Sequence, residues 1–263
     1  MIAHAIIGPN KATIGLRGFE PVPDPNIYAG TSGFSYPSWK PGFYPKEVPS
    51  TKFLSYYSTQ LNLVEVNYTF RQLGKASVFD KWIEQTPPGF VFSPKAHNTI
   101  THRKKLKDAV EFTRIFLESL EPFRAAGRLG PILFQLPPQF KANIETLREF
   151  VRVLPSTDRF AFEFRDKSWF CEDTYSLFRD HNVCLCLAEN EDLETPQVFT
   201  SSFAYYRLRK PEYTDGEIDQ LASELTAHRT AGRDAYALFK HEESPAGALY
   251  AQRLLKTVGT LVS

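Results

Sequence analysis

The segment FAFEFRD, residues 160–166, alternates apolar side chains with small or charged ones. Residues two positions apart in a β-strand share a face, so the phenylalanines face one way while Glu163 and Arg165 face the other. A strand of a closed barrel has this pattern, because helices cover its outer face and its inner face fills the barrel. The segment therefore predicts a barrel strand whose charged end points inward near the top.

Seven further short apolar runs end in polar or charged residues and recur at fairly even intervals. Each can be a buried parallel strand whose last residues emerge where the loops of a barrel converge. We predict strands at residues 27–32, 61–69, 89–97, 131–136, 159–165, 183–189, 203–209 and 235–240. Helical spacing is found between them at residues 51–60, 75–85, 106–126, 144–154, 174–181 and 215–230. This alternation indicates an α/β fold with a single (βα)8 TIM-barrel-like domain.

The chain length also favours one barrel, because such a domain typically needs ~250 residues and this chain has 263. An open doubly wound sheet is the alternative, but residues 30–39 lack its GxGxxG turn. Residues 1–26 show no clear period and are rich in proline, so we expect an N-terminal arm there and the barrel domain at 27–263. The link at 191–202 is short and interrupted by proline, so we expect a turn or one helical turn there, and it is the weakest unit of the predicted barrel.

The composition excludes some classes of protein. No apolar stretch approaches the ~20 residues that span a bilayer, and the first residues lack the basic lead of a secretory signal, so we predict a cytoplasmic protein without membrane contact. The formal net charge of +1 gives no global attraction to nucleic acid, so affinity for phosphate must come from a local concentration of basic side chains. Cys171, Cys184 and Cys186 cannot all pair and are expected to be buried and reduced.

Two inward carboxylates on different predicted strands are candidates for a general acid and base. Alternation in VEVNYTF, residues 64–70, points Glu65 inward, and Glu163 points inward from its own strand. Two such carboxylates can exchange protons with a substrate, and their separation decides the mechanism. The structural alternatives are an ion pair between Glu163 and Arg165 and hydrogen bonding of Glu65 to neighbouring strands.

The third predicted strand ends with Lys95 and His97 on one face. A lysine at a barrel mouth can bind an anion, or act as a base or Schiff-base nucleophile when it is desolvated. An ion pair with a carboxylate across the mouth is the alternative for Lys95. His97 can titrate near neutral pH, although a lone histidine at a strand end more often has a structural role. His102 and the three basic residues that follow it are expected to be solvated.

Basic side chains are concentrated at the ends of the last two predicted strands. Arg207 and Arg209 share a face with Tyr205, and Lys240 and His241 end the next strand. Many barrels hold phosphate at the loops after these strands, and two inward arginines can clamp a phosphate or carboxylate. The alternative is that this charge neutralises the inward carboxylates within the protein.

Aromatic, amide and turn residues near the strand ends are candidates for orienting a substrate. Flat rings beside a basic mouth can stack on bases or sugars, although loop aromatics more often cap the barrel. A glycine turn allows a close approach of backbone to ligand, although the turn alone explains the glycine. We assign substrate binding to Thr31, Ser32, Gly33, Trp39, Tyr68, His97, Gln135, Trp169, Arg207, Arg209, Lys240 and His241. We assign catalysis to Glu65, Lys95, Glu163 and Arg165.

The familiar hydrolase, nucleotide and metal motifs are absent from the sequence. It contains no HExxH, no GxSxG elbow, no P-loop and no paired-cysteine spacing. The residues that could converge on a metal are Glu65, His97, Glu163, Glu189 and His241. Because no metal-binding spacing supports such a site, we predict neither a metal nor a cofactor.

Five longer motifs lie at predicted strand ends: GTSGFSYPSWKPGFYP at 30–45, VEVNYTF at 64–70, FSPKAHNTITH at 92–102, LFQLPPQF at 133–140 and FEFRDKSW at 162–169. Over about residues 28–258 the chain resembles the family called domain of unknown function 72, or YecE-like. The resemblance implies a TIM-barrel-like fold with these motifs at its mouth and no established reaction. Where many members carry RxHG and FNN segments, this chain has RLRK at 207–210 and FKH at 239–241, which makes the mouth more basic.

These residues together predict an enzyme, a hydrolase or lyase, acting on an anionic or phosphorylated small ligand at the C-terminal mouth of the barrel. The basic residues of the last two strands would hold the anion, and Glu163 or Glu65 would act as acid or base with Lys95 assisting. The alternative is a non-catalytic nucleic-acid-binding module that places its basic rim on phosphates and its aromatic rings on bases. In a third possibility, all charges of the mouth are paired internally and no ligand binds.

Overall fold

The computed structural model describes residues 26–189 and 193–261. Its strands are β1 Ile27–Ser32, β2 Leu63–Val66, β3 Val91–Pro94, β4 Ile132–Gln135, β5 Phe160–Glu163, β6 Cys184–Leu185, β7 Leu187–Ala188, β8 Phe203–Leu208 and β9 Asp234–Phe239. Its α-helices are α1 Phe53–Gln60, α2 Tyr68–Arg71, α3 Ala76–Glu84, α4 Val110–Ser119, α5 Glu121–Ala125, α6 Ile144–Val151, α7 Glu172–Asp180, α8 Asp215–Thr230 and α9 Ala246–Leu261. Of the predicted N-terminal arm, residues 1–26, only Asn26 lies within the described residues.

Parallel pairing closes these strands into a barrel. One sheet has the order β3-β2-β1-β9-β8-β7 and the other the order β4-β5-β6. Bridges from Phe92 to Leu129 and from Lys95 to Leu133 join β3 to β4. The strands β6 and β7 are the two halves of the sixth predicted strand on either side of Cys186, and they join the sheets by pairing with β5 and β8. The predicted (βα)8 TIM-barrel-like fold is therefore confirmed.

Alternating side chains divide the core into two layers, as the pattern of FAFEFRD predicts. Ala161, Cys184 and Cys186 belong to the cluster inside the barrel. Phe160 and Phe162 belong to the larger cluster between the strands and the helices. Cys184 and Cys186 are buried free thiols as expected, whereas the free thiol of Cys171 is only half-buried.

Two predicted elements are corrected by the structure. The predicted helix at 106–126 is divided into α4 and α5, because Pro122 in the first turn of α5 has no amide hydrogen with which to continue α4. Residues preceding α4 are irregular: Lys105 and Leu106 have positive φ angles of 50° and 70°. The predicted strand at 61–69 ends at Val66, and Tyr68 already begins α2.

The link after β7 contains neither helix nor strand at residues 193–202, in agreement with the expectation for its length. Threonine side chains connect it to the sixth strand instead. Thr200 Oγ1 accepts a hydrogen bond from the Leu185 amide at 2.9 Å and donates to the Val183 carbonyl at 2.7 Å. In the described part of the chain, no helix has the length and apolar character needed to cross a membrane.

Candidate functional site

Three charged side chains from distant strands meet inside the top of the barrel. The Nη2 atom of Arg207 on β8 lies 2.6 Å from Oε1 of Glu65 on β2, and its Nη1 atom is bonded to Oε2 of Glu163 on β5. None of these three side chains is more than 2% exposed. Each buried carboxylate therefore has a basic partner. A buried charge needs such a partner because it has lost its contact with water.

Glu163 is the carboxylate with most basic partners. Besides Arg207, it accepts hydrogen bonds from Nη2 of Arg209 at 2.9 and 3.0 Å, and Nε of Arg165 lies 3.4 Å from its Oε1. Burial alone would raise its pKa, but Arg207 and Arg209 outweigh burial and hold the pKa of Glu163 at about 2. It is ionised at neutral pH and is not a proton donor there. We call Glu65, Glu163, Arg207 and Arg209 the charge cluster.

Glu65 is held by hydroxyl groups as well as by Arg207. Ser32 Oγ donates to its Oε1 at 2.5 Å, and the Tyr205 hydroxyl donates to its Oε2 at 3.3 Å. Although burial opposes ionisation, Arg207, Lys95 and Ser32 together keep the pKa of Glu65 below its ordinary value. Tyr205 also exchanges a hydrogen bond of 2.8 Å with Ser93, and neither residue was assigned to the site from the sequence. Strand alternation, which places both inward, was the signal that could have found them.

Lys95 has a different environment from the charge cluster. Its Nζ donates to Gln135 Oε1 at 2.7 Å, while Gln135 Nε2 donates to Glu163 Oε1 at 2.9 Å. The same Nζ lies 4.4 Å from the centre of the Phe70 ring. Burial and Arg207 lower the pKa of Lys95 to about 8, against the opposing effect of the two carboxylates. Among the described residues, no carboxylate oxygen forms a salt bridge with this ammonium group, so an amide contact takes the place of the ion pair considered as the alternative.

The outer rim of the mouth is basic. Lys240 is 40% exposed and its Nζ lies 3.8 Å from Glu242 Oε1. Burial is the main cause that lowers the pKa of Lys240. His241 is fixed by a hydrogen bond of 2.9 Å from its Nε2 to the Lys210 carbonyl. Both residues follow directly after the last strand, β9.

His102 lies closer to the site than predicted. It is half-buried, and its ring meets the Phe70 ring edge-on at 5.1 Å between centroids. Burial, together with Lys95 and Arg165, lowers the pKa of His102, so its imidazole is neutral at neutral pH. The expectation of a solvated side chain is wrong for this residue. Its place in the FSPKAHNTITH motif was the signal that could have predicted this position.

The predicted ligand contacts at the end of β1 point in different directions. Ser32 faces inward and receives a hydrogen bond of 3.2 Å from Arg207 Nη2. Thr31 faces outward, where its amide donates to the Tyr57 hydroxyl at 2.8 Å. Gly33 has a φ angle of +87°, and a Cβ atom there would lie 2.5 Å from the Tyr36 hydroxyl. The close approach predicted at Gly33 is therefore to Tyr36, and Thr31 does not point into the mouth.

Three of the residues assigned to substrate binding are buried and form hydrogen bonds within the protein. Trp39 and Trp169 are 0% and 1% exposed, and their indole N–H groups donate to the carbonyls of Glu242 and Phe140. Loop packing therefore covers both rings, which is the arrangement given above as the alternative for loop aromatics. His97 is also buried, and its Nδ1 accepts a hydrogen bond of 3.1 Å from the Thr99 amide. Burial lowers its pKa, in line with the structural alternative.

A cavity of about 220 Å³ opens beside the charge cluster. Its walls are formed by Gly33, Phe34, Ser35, Tyr36, Glu65, Val66, Asn67, Tyr68 and Trp82. We call it the aromatic pocket. Tyr68 was assigned to substrate binding from the sequence, and Phe34 and Tyr36 belong to the aromatic residues after the first predicted strand that could stack on bases or sugars. Trp82 was not considered.

The described residues contain no group of three or more His, Cys, Asp or Glu side chains arranged to hold a metal ion. Glu189, one of the residues considered for such a site, has other partners. Its Oε2 atom accepts hydrogen bonds from the Arg209 amide at 2.9 Å and from the Tyr213 hydroxyl.

Comparison with known proteins identifies relatives. Residues 28–262 match the family described as protein of unknown function DUF72. The protein YunF of Bacillus subtilis is 31% identical over 173 residues, which are 60% of either chain. The protein YecE of Escherichia coli K12 is 31% identical over 147 residues, which are 56% of this chain and 51% of that protein. The chain thus spans between about half and three fifths of the length of these relatives.

Solved structures show the same architecture. A DUF72 family protein from Thermotoga maritima is 27% identical, and the superposition covers 89% of this chain and 99% of that chain with a TM-score of 0.79. A DUF72 family protein from Enterococcus faecalis V583 is 17% identical, with coverages of 89% and 98% and a TM-score of 0.72, a likeness of fold alone.

Proposed function

The chain belongs to the DUF72 family, and on that premise we propose that it is an enzyme acting by acid–base chemistry on an anionic or phosphorylated small molecule at the C-terminal mouth of its barrel. The reaction class we propose is hydrolysis or elimination, as expected from the sequence. The observation that carries the proposal is the environment of Lys95, a half-buried ammonium group paired with a neutral amide.

The charges around Lys95 favour an anion. In the charge cluster the two carboxylates are balanced by two arginines. Lys95 and Arg165 add positive charge beside this balanced set, and Lys240 lies on the rim. A bound anion would offset that excess at a site partly shielded from water, where charge interactions are strong.

The residues have different roles from those expected at the outset. Arg207 cannot clamp a ligand, because its side chain is 2% exposed and both ends of its guanidinium group hold carboxylates. Glu163 is fully ionised and serves to hold Gln135, which orients Lys95. Lys95, with a pKa of about 8, is the group suited to transfer a proton near neutral pH. Arg165 and Lys240 would contact the anion.

The nucleic-acid-binding alternative keeps only part of its support. It places a basic rim on phosphates and loop aromatics on bases, and two of those rings, the indoles of Trp39 and Trp169, are buried. Steep loss of affinity with rising salt would identify that alternative in the experiment below. A cytoplasmic location remains a prediction from the sequence.

Ligand binding tests the anion site first. Inorganic phosphate and a panel of phosphomonoesters are titrated into the wild-type protein, Lys95→Met and Lys256→Met, the last being an exposed control on α9. A ligand at 100 times its dissociation constant should stabilise the wild type and the control by about 2.7 kcal/mol in thermal unfolding. Lys95→Met should lose most of this stabilisation. Equal stabilisation of all three proteins, or of none, contradicts the proposal.

Turnover separates binding from catalysis. For each ester that binds, product release is followed with the wild type, Lys95→Arg and Lys95→Met. Arginine retains the charge but does not deprotonate near neutral pH, so Lys95→Arg should still bind and yet lose about 100-fold or more in kcat. Full turnover in Lys95→Arg would show that Lys95 is not the acid or base.

A further inference from the structure

We propose that the aromatic pocket is a subsite for a planar aromatic or heteroaromatic ring carried by the anionic substrate. The inference rests on the proposed function, because the charged group of the same molecule would be held by Lys95 and the basic rim. The inference names the class of substrate, an anion that carries a flat ring, whereas the charge cluster specifies only the anion.

The rings of the aromatic pocket are held in place by contacts within the protein. The Phe34 and Tyr68 rings each meet the Trp82 ring at 5.8 Å between centroids, at interplanar angles of 89° and 74°. The Tyr36 hydroxyl donates to the Ser32 carbonyl at 2.8 Å, and Gly33 leaves room for this approach. A pocket whose walls are already fixed binds a ring without the cost of ordering them.

The exposure of these rings is suited to binding. Phe34, Tyr36, Tyr68 and Trp82 are only partly buried, so part of each side chain remains accessible to the pocket. Aromatic rings prefer offset or edge-to-face contacts with other aromatic rings, and the perpendicular arrangement of these walls offers both edges and faces. A flat ring therefore fits this pocket better than a saturated ring of equal size.

Size and position indicate that the pocket holds part of a ligand. Sites for drug-sized molecules measure about 300–1,000 Å³, and this pocket measures about 220 Å³. One ring system fits, and the remainder of the molecule must lie outside. Glu65 belongs to both the pocket wall and the charge cluster. A ring in the pocket would thus lie beside the charge cluster, and its charged substituent would have to extend from there to Lys95.

Three ligands that share an anion test the subsite. Phenyl phosphate, cyclohexyl phosphate and inorganic phosphate are titrated calorimetrically into the wild-type protein. We expect phenyl phosphate to bind more than about tenfold tighter than inorganic phosphate and about fivefold tighter than cyclohexyl phosphate. If the phosphate binds and the phenyl group adds nothing, the ring subsite is wrong while the proposed anion site stands.

Variants that fill the pocket test whether the preference for the phenyl group arises there. Ser35→Trp places a large side chain in the pocket wall, and Ser38→Trp is the control, because Ser38 is exposed and outside that wall. Ser35→Trp should abolish the preference for the phenyl group and leave the affinity for inorganic phosphate unchanged. If Ser35→Trp does not fold, Tyr68→Leu should reduce the same preference. A preference retained in a folded pocket variant overturns the assignment.

An uncharged ring separates failure of the subsite from failure of the proposed function. If no phosphate compound binds, the proposed function is wrong, and 4-fluorophenol followed by fluorine NMR still reports on the pocket. A signal shift that occurs in the wild type and Ser38→Trp but not in Ser35→Trp supports the ring subsite. Identical spectra with all three proteins overturn it.

Discussion

Glu163 is the residue on which most polar contacts of the mouth converge, and its substitution distinguishes a structural charge from a catalytic one. Glu163→Gln removes the buried carboxylate charge that partners Arg207 and Arg209, while Arg207 keeps its contact with Glu65. Loss of one member of a buried ion pair typically costs about 3–5 kcal/mol. We expect such a decrease in the free energy of unfolding by denaturant titration. The exposed control Glu242→Gln should change it by less than about 0.5 kcal/mol.

The pH dependence of stability tests the same residue independently. The pKa of Glu163 is about 2 in the folded protein, below its ordinary value of 4.5, so its stabilising effect is complete above pH 4.5 and is lost as the pH falls towards 2. The stability difference between the wild type and Glu163→Gln should therefore shrink by about 3 kcal/mol over this range. If the stability difference between the two proteins does not change with pH, the low pKa does not belong to Glu163.

The titration of Lys95 should appear in ligand binding. Its pKa is about 8, so the ammonium form that attracts an anion is present below pH 8 and is lost above it. Phosphate affinity in the wild type should then fall about tenfold per pH unit above 8. Gln135→Leu removes the hydrogen-bond acceptor of Lys95 and should move this fall to lower pH. Calorimetric titrations of both proteins between pH 6.5 and about 9.5 measure these changes in affinity. If the affinity does not depend on pH, Lys95 does not bind the anion.

Strand alternation predicted the inward direction of Glu65, Glu163 and Arg207 from the sequence. It could not predict that they contact one another, because Arg207 lies 142 residues from Glu65 and the distance depends on barrel closure. It also could not distinguish a buried indole such as Trp39 from one that faces a ligand. That distinction depends on which loop covers the ring, and loop packing has no sequence period.

At the scale of elements, α8 begins with a capping box that the sequence contains in full. The Thr214 side chain accepts from the Glu217 amide, and the Glu217 side chain accepts from the Thr214 amide at 2.8 Å. Thr214→Ala should lower the free energy of unfolding by about 1 kcal/mol, since the first turn loses its acceptor. Denaturant titration measures the change. Thr230→Ala, at the exposed last turn of the same helix, should have less than half this effect.

Local signals explain which element boundaries the sequence predicted. The predicted range for α8, residues 215–230, agrees with the structure because the capping box marks its start. The predicted range 106–126 fails because helical spacing continues across Pro122, where the backbone begins a new helix. The final helix, α9, was not predicted, although its apolar face covers the barrel and Ala248 and Ala251 are fully buried.

For the whole molecule, barrel closure depends on its most weakly paired strands. β8 and β9 pair at six positions, whereas β5 with β6 and β7 with β8 pair at only two each. The junction of β3 and β4 consists of isolated bridges. Regions with few backbone hydrogen bonds open at lower free energy than the global transition. The sheet β4-β5-β6, which carries Glu163, should therefore open before the larger sheet.

Thr200→Val tests this closure at the sixth strand. The Thr200 hydroxyl replaces a backbone partner for the Leu185 amide and the Val183 carbonyl, on the side of the strand that faces β8. Valine keeps the shape but leaves a buried amide without an acceptor, which costs about 1–3 kcal/mol. In native-state hydrogen exchange the Leu185 amide should therefore lose protection, while the amides of β1 and β9 retain theirs. Thr59→Val, at an exposed helical site, is the matched control. If protection falls equally in every strand of Thr200→Val, the barrel opens as one unit and the sheet β4-β5-β6 has no separate stability.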